Sequence, residues 1–259
     1  MDTQAEISII KNRLESGEYP LIKNCFGEYI RFALNQNNYE NFDIIKILQE
    51  EYRGWVVLES LLTENVQFFG MSEGQLVKYF GSRKNELKNE PEKFFDLLYE
   101  PHTAKVLNEK GFKKINRIKS SNERGQKEAD FVAWYGSEKF AIEIKTIRPS
   151  ESEKKARIGP GLAYSVDSLR KMFEKKIKDI LPQAHAQLKA TTIGRNCNKT
   201  LLAIWVRREA TVNLLNVRRD DFGEIYRNIK QDYSDIDYFV FNGYWYPKLK
   251  QIVGSVPII

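Results

Sequence analysis

A β-hairpin is the feature that most constrains the fold of this chain. Two runs, at 129–136 and 139–147, have the short length and the β-branched and aromatic composition of strands. The turn between them centres on Gly136 and Ser137, and glycine in the first position is what a two-residue type II′ turn prefers. The sequence therefore predicts two antiparallel strands joined by a tight turn.

The turn also fixes which residues face each other across the hairpin. If Tyr135 faces Glu138, the same register places Asp130 directly opposite Glu143. Directly opposed Cβ atoms lie about 4.5 to 5.5 Å apart, a distance at which two like charges destabilise a sheet. Lys145 shares the face of Glu143, because side chains alternate along a strand, and its charge compensates in part. A divalent cation between the two carboxylates would compensate further, and Mg²⁺ prefers such oxygen ligands.

The elements around the hairpin alternate between helical and strand patterns. They are a helix at 91–110, a strand at 113–119, a Lys-rich helix at 167–190, a buried strand at 201–208, a helix at 222–233 and a late strand or hairpin at 238–246. Within the Lys-rich helix, Pro182 is interpreted as a kink or a new start. This order predicts an α/β or α+β domain with a mixed sheet, of which we take α/β.

The first 90 residues have apolar residues at helical spacing and predict an all-helical region. Gly54 is interpreted as a break between two of its helices. Ser72, with Gln75 three residues later, fits a capping box. The polar stretch at 81–93 is the predicted seam, so we expect a helical N-terminal region at 1–90 and an α/β domain at 91–259.

The charge of the chain is divided unevenly. Residues 1–100 carry 11 Lys and Arg against 17 Asp and Glu, a net charge of −6, whereas residues 101–259 carry 30 against 18, a net charge of +12. Such a basic half is typical of proteins that contact nucleic acid, although basic surfaces also serve solubility. Two Cys and two His exclude a disulfide framework and a Cys/His zinc site, so any metal is expected to bind oxygen.

We expect a cytoplasmic protein without a membrane partner. The chain has no apolar run approaching the roughly 18 residues that span a bilayer, and its first residues do not resemble a secretion signal.

An Asp followed by Glu-x-Lys on the next strand resembles the PD-(D/E)XK, or restriction-endonuclease-like, nuclease superfamily. The resemblance covers roughly residues 92–208, with Asp130, Glu143 and Lys145 in the places of the family's motif. The proline that gives the family its name is absent before Asp130, where the local sequence is Glu-Ala-Asp. The resemblance implies a restriction-endonuclease-like mixed β-sheet flanked by helices.

The resemblance also implies a metal-dependent endonuclease or phosphodiesterase, with DNA preferred over RNA as its substrate. Asp130 and Glu143 would hold Mg²⁺ or Mn²⁺, with the backbone carbonyl of Ile144 as a further ligand. Lys145 would orient or help deprotonate the attacking water. A double-strand cutter needs two active centres, so a homodimer is the expected form in that case.

The family's leading helix often offers one more acidic residue to the site. Glu100 fits this place, because the sequence around it has the composition of that helix. Glu92 and Glu109 are local alternatives. The acid would hold a metal-bound water or assist a second ion.

A second set of residues is predicted to contact the phosphates of nucleic acid. It consists of Arg148, Lys154, Lys155 and Arg157 in the polar loop after the hairpin, and Lys175, Lys178 and Gln183 in the following helix. Related nucleases often place a Lys or Gln of this helix near the metal centre, and Gln183 or Gln187 would be the candidate. Taken singly, each of these side chains fits a solvated polar surface equally well.

Two other functions remain open from the sequence. The first is a non-catalytic nucleic-acid-binding module on a nuclease-like fold, which has no need of two carboxylates facing a phosphate backbone. The second is an interaction protein whose helical half does the work.

Overall fold

The computed structural model describes most of the chain. The described residues are 3–49, 51–69, 71–118, 127–148, 166–206, 227, 231–241, 244–246 and 253–255. The chain divides into two compact units, Met1–Lys105 and Val106–Ile259. Among the described residues, no helix is long and apolar enough to cross a membrane.

The first unit is helical. Its helices are α1 (Thr3–Ser16), α2 (Pro20–Leu34), α3 (Asp43–Gln49), α4 (Glu51–Phe69), α5 (Glu73–Ser82), α6 (Lys84–Asn89) and most of α7 (Phe94–Glu109), with 3₁₀ turns at Tyr39–Asn41 and Pro91–Lys93. Ser72 and Gln75 form the predicted capping box at the start of α5, with bonds of 3.3 Å to the Ser72 Oγ and 2.8 Å to the Gln75 Oε1.

Gly54 lies inside helix α4, so the prediction of a break at this residue is wrong. A Cβ atom at position 54 would lie 1.8 Å from the backbone oxygen of Ile47. The next residue, Trp55, is buried and donates from its Nε1 to the carbonyl of Leu48 at 3.2 Å. Glycine therefore allows α4 to approach α3 closely, and it does not end the helix.

The boundary between the units follows Lys105, whereas the sequence predicted it after residue 90. The polar stretch at 81–93 is largely helical, and its Leu87 is buried in the first unit's core. Phe94 belongs to the same core, where its ring centroid lies 5.0 Å from that of Phe26. The start of α7 is thus held by apolar contacts of the helical unit.

In its described residues, the second unit is built on a sheet of seven strands. The strands lie side by side in chain order: β1 (Lys113–Arg117), β2 (Phe131–Tyr135), β3 (Glu138–Ile147), β4 (Lys199–Val206), β5 (Tyr238–Phe241), β6 (Tyr244–Tyr246) and β7 (Val253–Ser255). The β3–β4 and β4–β5 pairs are parallel and the others antiparallel. The first five strands make the predicted mixed sheet, which β6 and β7 extend.

The predicted hairpin register is confirmed. Tyr135 pairs with Glu138, and the antiparallel pairing continues to Phe131 opposite Ile142. Gly136 has a φ of 59°, a left-handed conformation that glycine adopts without strain. The register therefore brings Asp130, the residue before β2, level with the middle of β3.

Helix α8 (Val166–Arg195) covers the face of the sheet that carries the odd-numbered residues of β3. The apolar side chains of α8 on this face are Ile177, Leu181, Ala184 and Leu188, which cluster with Ala141 and Ile147 of β3. The helix continues through Pro182 and extends five residues beyond its predicted end at 190. On the opposite face, the ring of Phe140 lies 5.1 Å from that of Phe112.

Parts of two further predictions lie outside the described residues. The predicted helix at 222–233 is described only at Arg227 and 231–233, and the loop after Arg148 is not described up to residue 165.

Candidate active site

The carboxyl of Glu143, which is buried, and the ammonium of Lys145, which is half-buried, lie side by side in the middle of the sheet. The Nζ atom of Lys145 lies 2.7 Å from the Oε1 of Glu143, and their side chains are 13% and 2% exposed. Within the described part of the chain, the second carboxyl oxygen of Glu143 is buried without a hydrogen-bond partner. A buried acceptor without a donor is costly, so this oxygen calls for a ligand or a proton.

The environment of Glu143 disfavours its negative charge. Burial raises the pKa of its carboxyl to about 8, and the charge of Asp130 raises it as well, against the lowering effects of Lys145 and Lys127. Without a bound cation, this carboxyl is therefore largely protonated at neutral pH. A cation bound between Glu143 and Asp130 would instead favour the charged form of this carboxyl.

Asp130 is held by the backbone of both neighbouring strands. Its Oδ2 accepts from the N–H of Ile144 at 2.8 Å, and its backbone carbonyl accepts from the N–H of Ile118 at 2.8 Å. The N–H and C=O of a strand residue point to the same neighbouring strand. The carbonyl of Ile144 is consequently directed to the side of Asp130, as the predicted ligand set requires.

Helix α8 supplies two amide side chains to Lys145. The Lys145 ammonium donates to the Oε1 of Gln187 at 2.8 Å and to the Oε1 of Gln183 at 3.4 Å. With Glu143, these acceptors match the three donors of an ammonium group. Gln183 is exposed and Gln187 is only 3% exposed, so Gln187 is the better fixed partner.

The same helix holds the segment that leads to Asp130. The Nε2 of Gln187 donates to the carbonyl of Glu128 at 3.1 Å, and the Oγ1 of Thr191 accepts from the N–H of Ala129 at 2.6 Å. Arg195 binds both carboxylate oxygens of Glu128, at 2.8 and 2.9 Å. This bidentate pair lowers the pKa of the Glu128 carboxyl.

These contacts come from every fourth residue of α8. The residues are Gln183, Gln187, Thr191 and Arg195, which we call the α8 stripe. Residues four apart share one face of a helix, so the stripe is one continuous polar edge. Thr191 and Arg195 were not predicted from the sequence. Their four-residue spacing is present there, but the sequence does not show which face of the helix packs against the hairpin.

The other predicted residues are placed as follows. Lys175 and Lys178 are exposed on α8, and the carbonyl of Arg148 accepts from the Nζ of Lys176 at 2.9 Å. Glu100 lies in the first unit and accepts from the hydroxyl of Tyr79 at 3.1 Å, so its membership of the site stays a prediction. Lys154, Lys155 and Arg157 lie outside the described residues.

The residues present fit a divalent cation that binds oxygen. Among the described residues, no three His, Cys, Asp or Glu side chains come together as metal ligands. Asp130 and Glu143 are a pair, which suffices for Mg²⁺, since this ion usually keeps several waters and takes one or two carboxylates plus substrate phosphate. The unpartnered Glu143 oxygen is the observation that favours the fit.

Comparison of the chain with models of protein families, with curated proteins and with solved structures gave no match.

Proposed function

We propose that the second unit is a metal-dependent phosphodiesterase acting on nucleic acid, with a restriction-endonuclease-like fold of the PD-(D/E)XK type. The observation that carries the proposal is the buried Glu143. One of its oxygens has no hydrogen-bond partner in the described part of the chain, the charge of Asp130 acts on it, and Lys145 lies 2.7 Å from the other oxygen.

A structural role is a weaker explanation of this pair. A buried carboxyl loses either its charge or its hydration, and both cost free energy, whereas well-packed apolar residues often serve as well or better in a core. The surrounding cluster is apolar, so a hydrophobic pair would fit the same space. Strongly perturbed ionisable groups concentrate at functional sites, where such a cost is retained for chemistry.

Asp130, Glu143 and the carbonyl of Ile144 would hold Mg²⁺ or Mn²⁺. When bound, the cation would polarise the phosphate and lower the pKa of a bound water. The chain itself provides the fixed geometry: the Ile144 N–H holds the Oδ2 of Asp130, and Glu143 is buried beside it in the sheet.

Lys145 would supply positive charge where the phosphate becomes more negative. In hydrolysis a water oxygen adds to phosphorus, one ester P–O bond breaks, and the leaving oxygen takes up a proton. The positive charge of the Lys145 ammonium stabilises the added charge, and Gln183 and Gln187 keep the ammonium in place.

The substrate class follows from charge. The second half of the chain carries 30 Lys and Arg against 18 Asp and Glu, and Lys175 and Lys178 are exposed on α8, the helix that covers the site. Lys and Arg that neutralise phosphates make binding depend steeply on salt. We take DNA as the preferred substrate on the family resemblance alone, and a homodimer if both strands are cut.

The test is a cleavage assay on linear, supercoiled and single-stranded DNA and on RNA, with Mg²⁺, Mn²⁺ or EDTA. Wild type is compared with Lys145→Met and with Lys199→Met, a matched control at the start of β4 whose Nζ lies 3.5 Å from Glu138. The proposal expects metal-dependent cleavage that Lys145→Met loses and Lys199→Met keeps. Binding without cleavage of any substrate would favour the non-catalytic module instead.

A further inference from the structure

One side chain of the α8 stripe bonds both to Lys145 and to the segment that leads to Asp130. Gln187 accepts from the Lys145 ammonium with its Oε1 and donates to the Glu128 carbonyl with its Nε2. An ammonium only donates and a carbonyl only accepts, so this chemistry fixes which end of the amide faces which partner. The orientation of Gln187 is therefore unambiguous.

These bonds close a ring around the site. Asp130 accepts from the N–H of Ile144, the residue before Lys145, and Lys145 donates to Gln187. Gln187 returns to Glu128, two residues before Asp130. The ring contains three hydrogen bonds, one from the Ile144 N–H to the Asp130 carboxylate and two made by Gln187, so Gln187 supplies two of the three.

We propose that Gln187 is a positioning residue that fixes Lys145 relative to Asp130. This inference rests on the proposed function for its kinetic consequence, but not for its structural one. Gln187 touches neither substrate nor metal in this role and acts through Lys145. Thr191 supports it from the next turn, because its hydroxyl accepts from Ala129 and donates to the Gln187 carbonyl at 2.9 Å.

The variants separate the two ends of the amide. Gln187→Met keeps the length of the side chain and removes both bonds. Gln187→Glu keeps an acceptor for Lys145 and loses the donor to Glu128. Thr192→Val is the control, since it removes a bond of 2.8 Å, from the Oγ1 to the Leu188 carbonyl, at a half-buried residue of the same helix outside the α8 stripe.

The direct readout is the ¹H–¹⁵N NMR signal of the Lys145 ammonium, assigned with Lys145→Met. A held ammonium gives a slowly exchanging signal, and a mobile one exchanges with water too fast to be seen. We expect the signal in wild type, Thr192→Val and Gln187→Glu and its loss in Gln187→Met. A signal that survives in Gln187→Met, or is absent from wild type, would overturn the inference.

The kinetic readout tests the consequence. A misplaced catalytic group can cost about a hundredfold in rate. We expect kcat to fall at least about tenfold in Gln187→Met with KM for nucleic acid little changed, whereas Thr192→Val stays within about threefold of wild type. If wild type cleaves nothing, the proposed function has failed and the NMR result still decides the positioning role. If wild type cleaves and Gln187→Met is equally fast, the positioning role is refuted alone.

Discussion

Replacing Glu143 by Gln should make the protein more stable in alkaline solution. Glutamine has nearly the shape of the protonated carboxyl, which is the form that burial and the charge of Asp130 favour. Wild type and Glu143→Gln should therefore be similar in stability below pH 4.5, where Glu143 is protonated in both the folded and the unfolded state. They should diverge as the pH rises, because only wild type must then keep a proton or bury a second charge beside Asp130.

The sign and the size of this stability difference follow from the linkage between proton binding and folding. The pKa of Glu143 rises from 4.5 to about 8 on folding, so the folded state binds the proton more tightly. The contribution to stability is complete below pH 4.5 and is lost as the pH rises to about 8. One pKa unit corresponds to about 1.4 kcal/mol, so the whole effect is on the order of 5 kcal/mol. That is a large share of the roughly 5 to 15 kcal/mol typical of a domain.

The assay is urea unfolding at pH 5, 7 and 9 in EDTA, followed by tryptophan fluorescence and circular dichroism. The matched control is Glu138→Gln on the same strand, whose side chain is 38% exposed. Adding Mg²⁺ at pH 8 should stabilise wild type and leave Glu143→Gln unchanged. Equal stability of wild type and Glu143→Gln at pH 9, or a less stable variant, would refute the reasoning, because Glu143 would then be satisfied as an anion.

Three further predictions concern the site and the helical unit. Asp130→Ala should abolish cleavage while nucleic-acid binding, measured by gel shift, is kept or tightened, since a charge that repels phosphate is removed; equal loss of binding would indicate a folding defect. Gly54→Ala should lower the free energy of unfolding by about 1 to 3 kcal/mol, because its Cβ would lie 1.8 Å from the Ile47 oxygen. Gly81→Ala, with open space around its Cβ, should not destabilise in the same urea titration. Burial lowers the pKa of His102 to about 4 from 6.5, so its contribution to stability is complete above pH 6.5 and is lost as the pH falls to 4. Urea unfolding of His102→Asn should show a smaller loss of stability than wild type between pH 6.5 and 4. The same pH dependence in both proteins would contradict the assignment of this loss to His102.

The hairpin was predictable because its signals are local. Gly136 and Ser137 set the turn, the turn sets the register, and the register brings Asp130 level with Glu143. The mixed sheet followed from the order of elements. Gly54 was misread because its role depends on Ile47 of the preceding helix, a close approach that no local pattern reveals.

The α8 stripe shows where local signals stop. Its four-residue spacing was present in the sequence, but so were Lys171, Lys175 and Lys178, which suggested a solvated face. Only the packing of Leu181 and Leu188 against the sheet decides that Gln187 turns toward Lys145. The face of a helix that points toward a site is set by tertiary contacts, and these can be known only once the position of the hairpin is known.

The α8 stripe also provides hydrogen-bond partners for the backbone that precedes Asp130. Strand β2 begins at Phe131, so the residues before Asp130 lie outside its described pairing with β3. Buried backbone groups still need partners. Thr191 takes the Ala129 N–H and Gln187 takes the Glu128 carbonyl, so side chains of one helix replace the missing ladder bonds. Ending the pairing one residue early leaves the Asp130 carboxylate on the Ile144 N–H, and the helix that repairs the backbone is the same helix that holds Lys145.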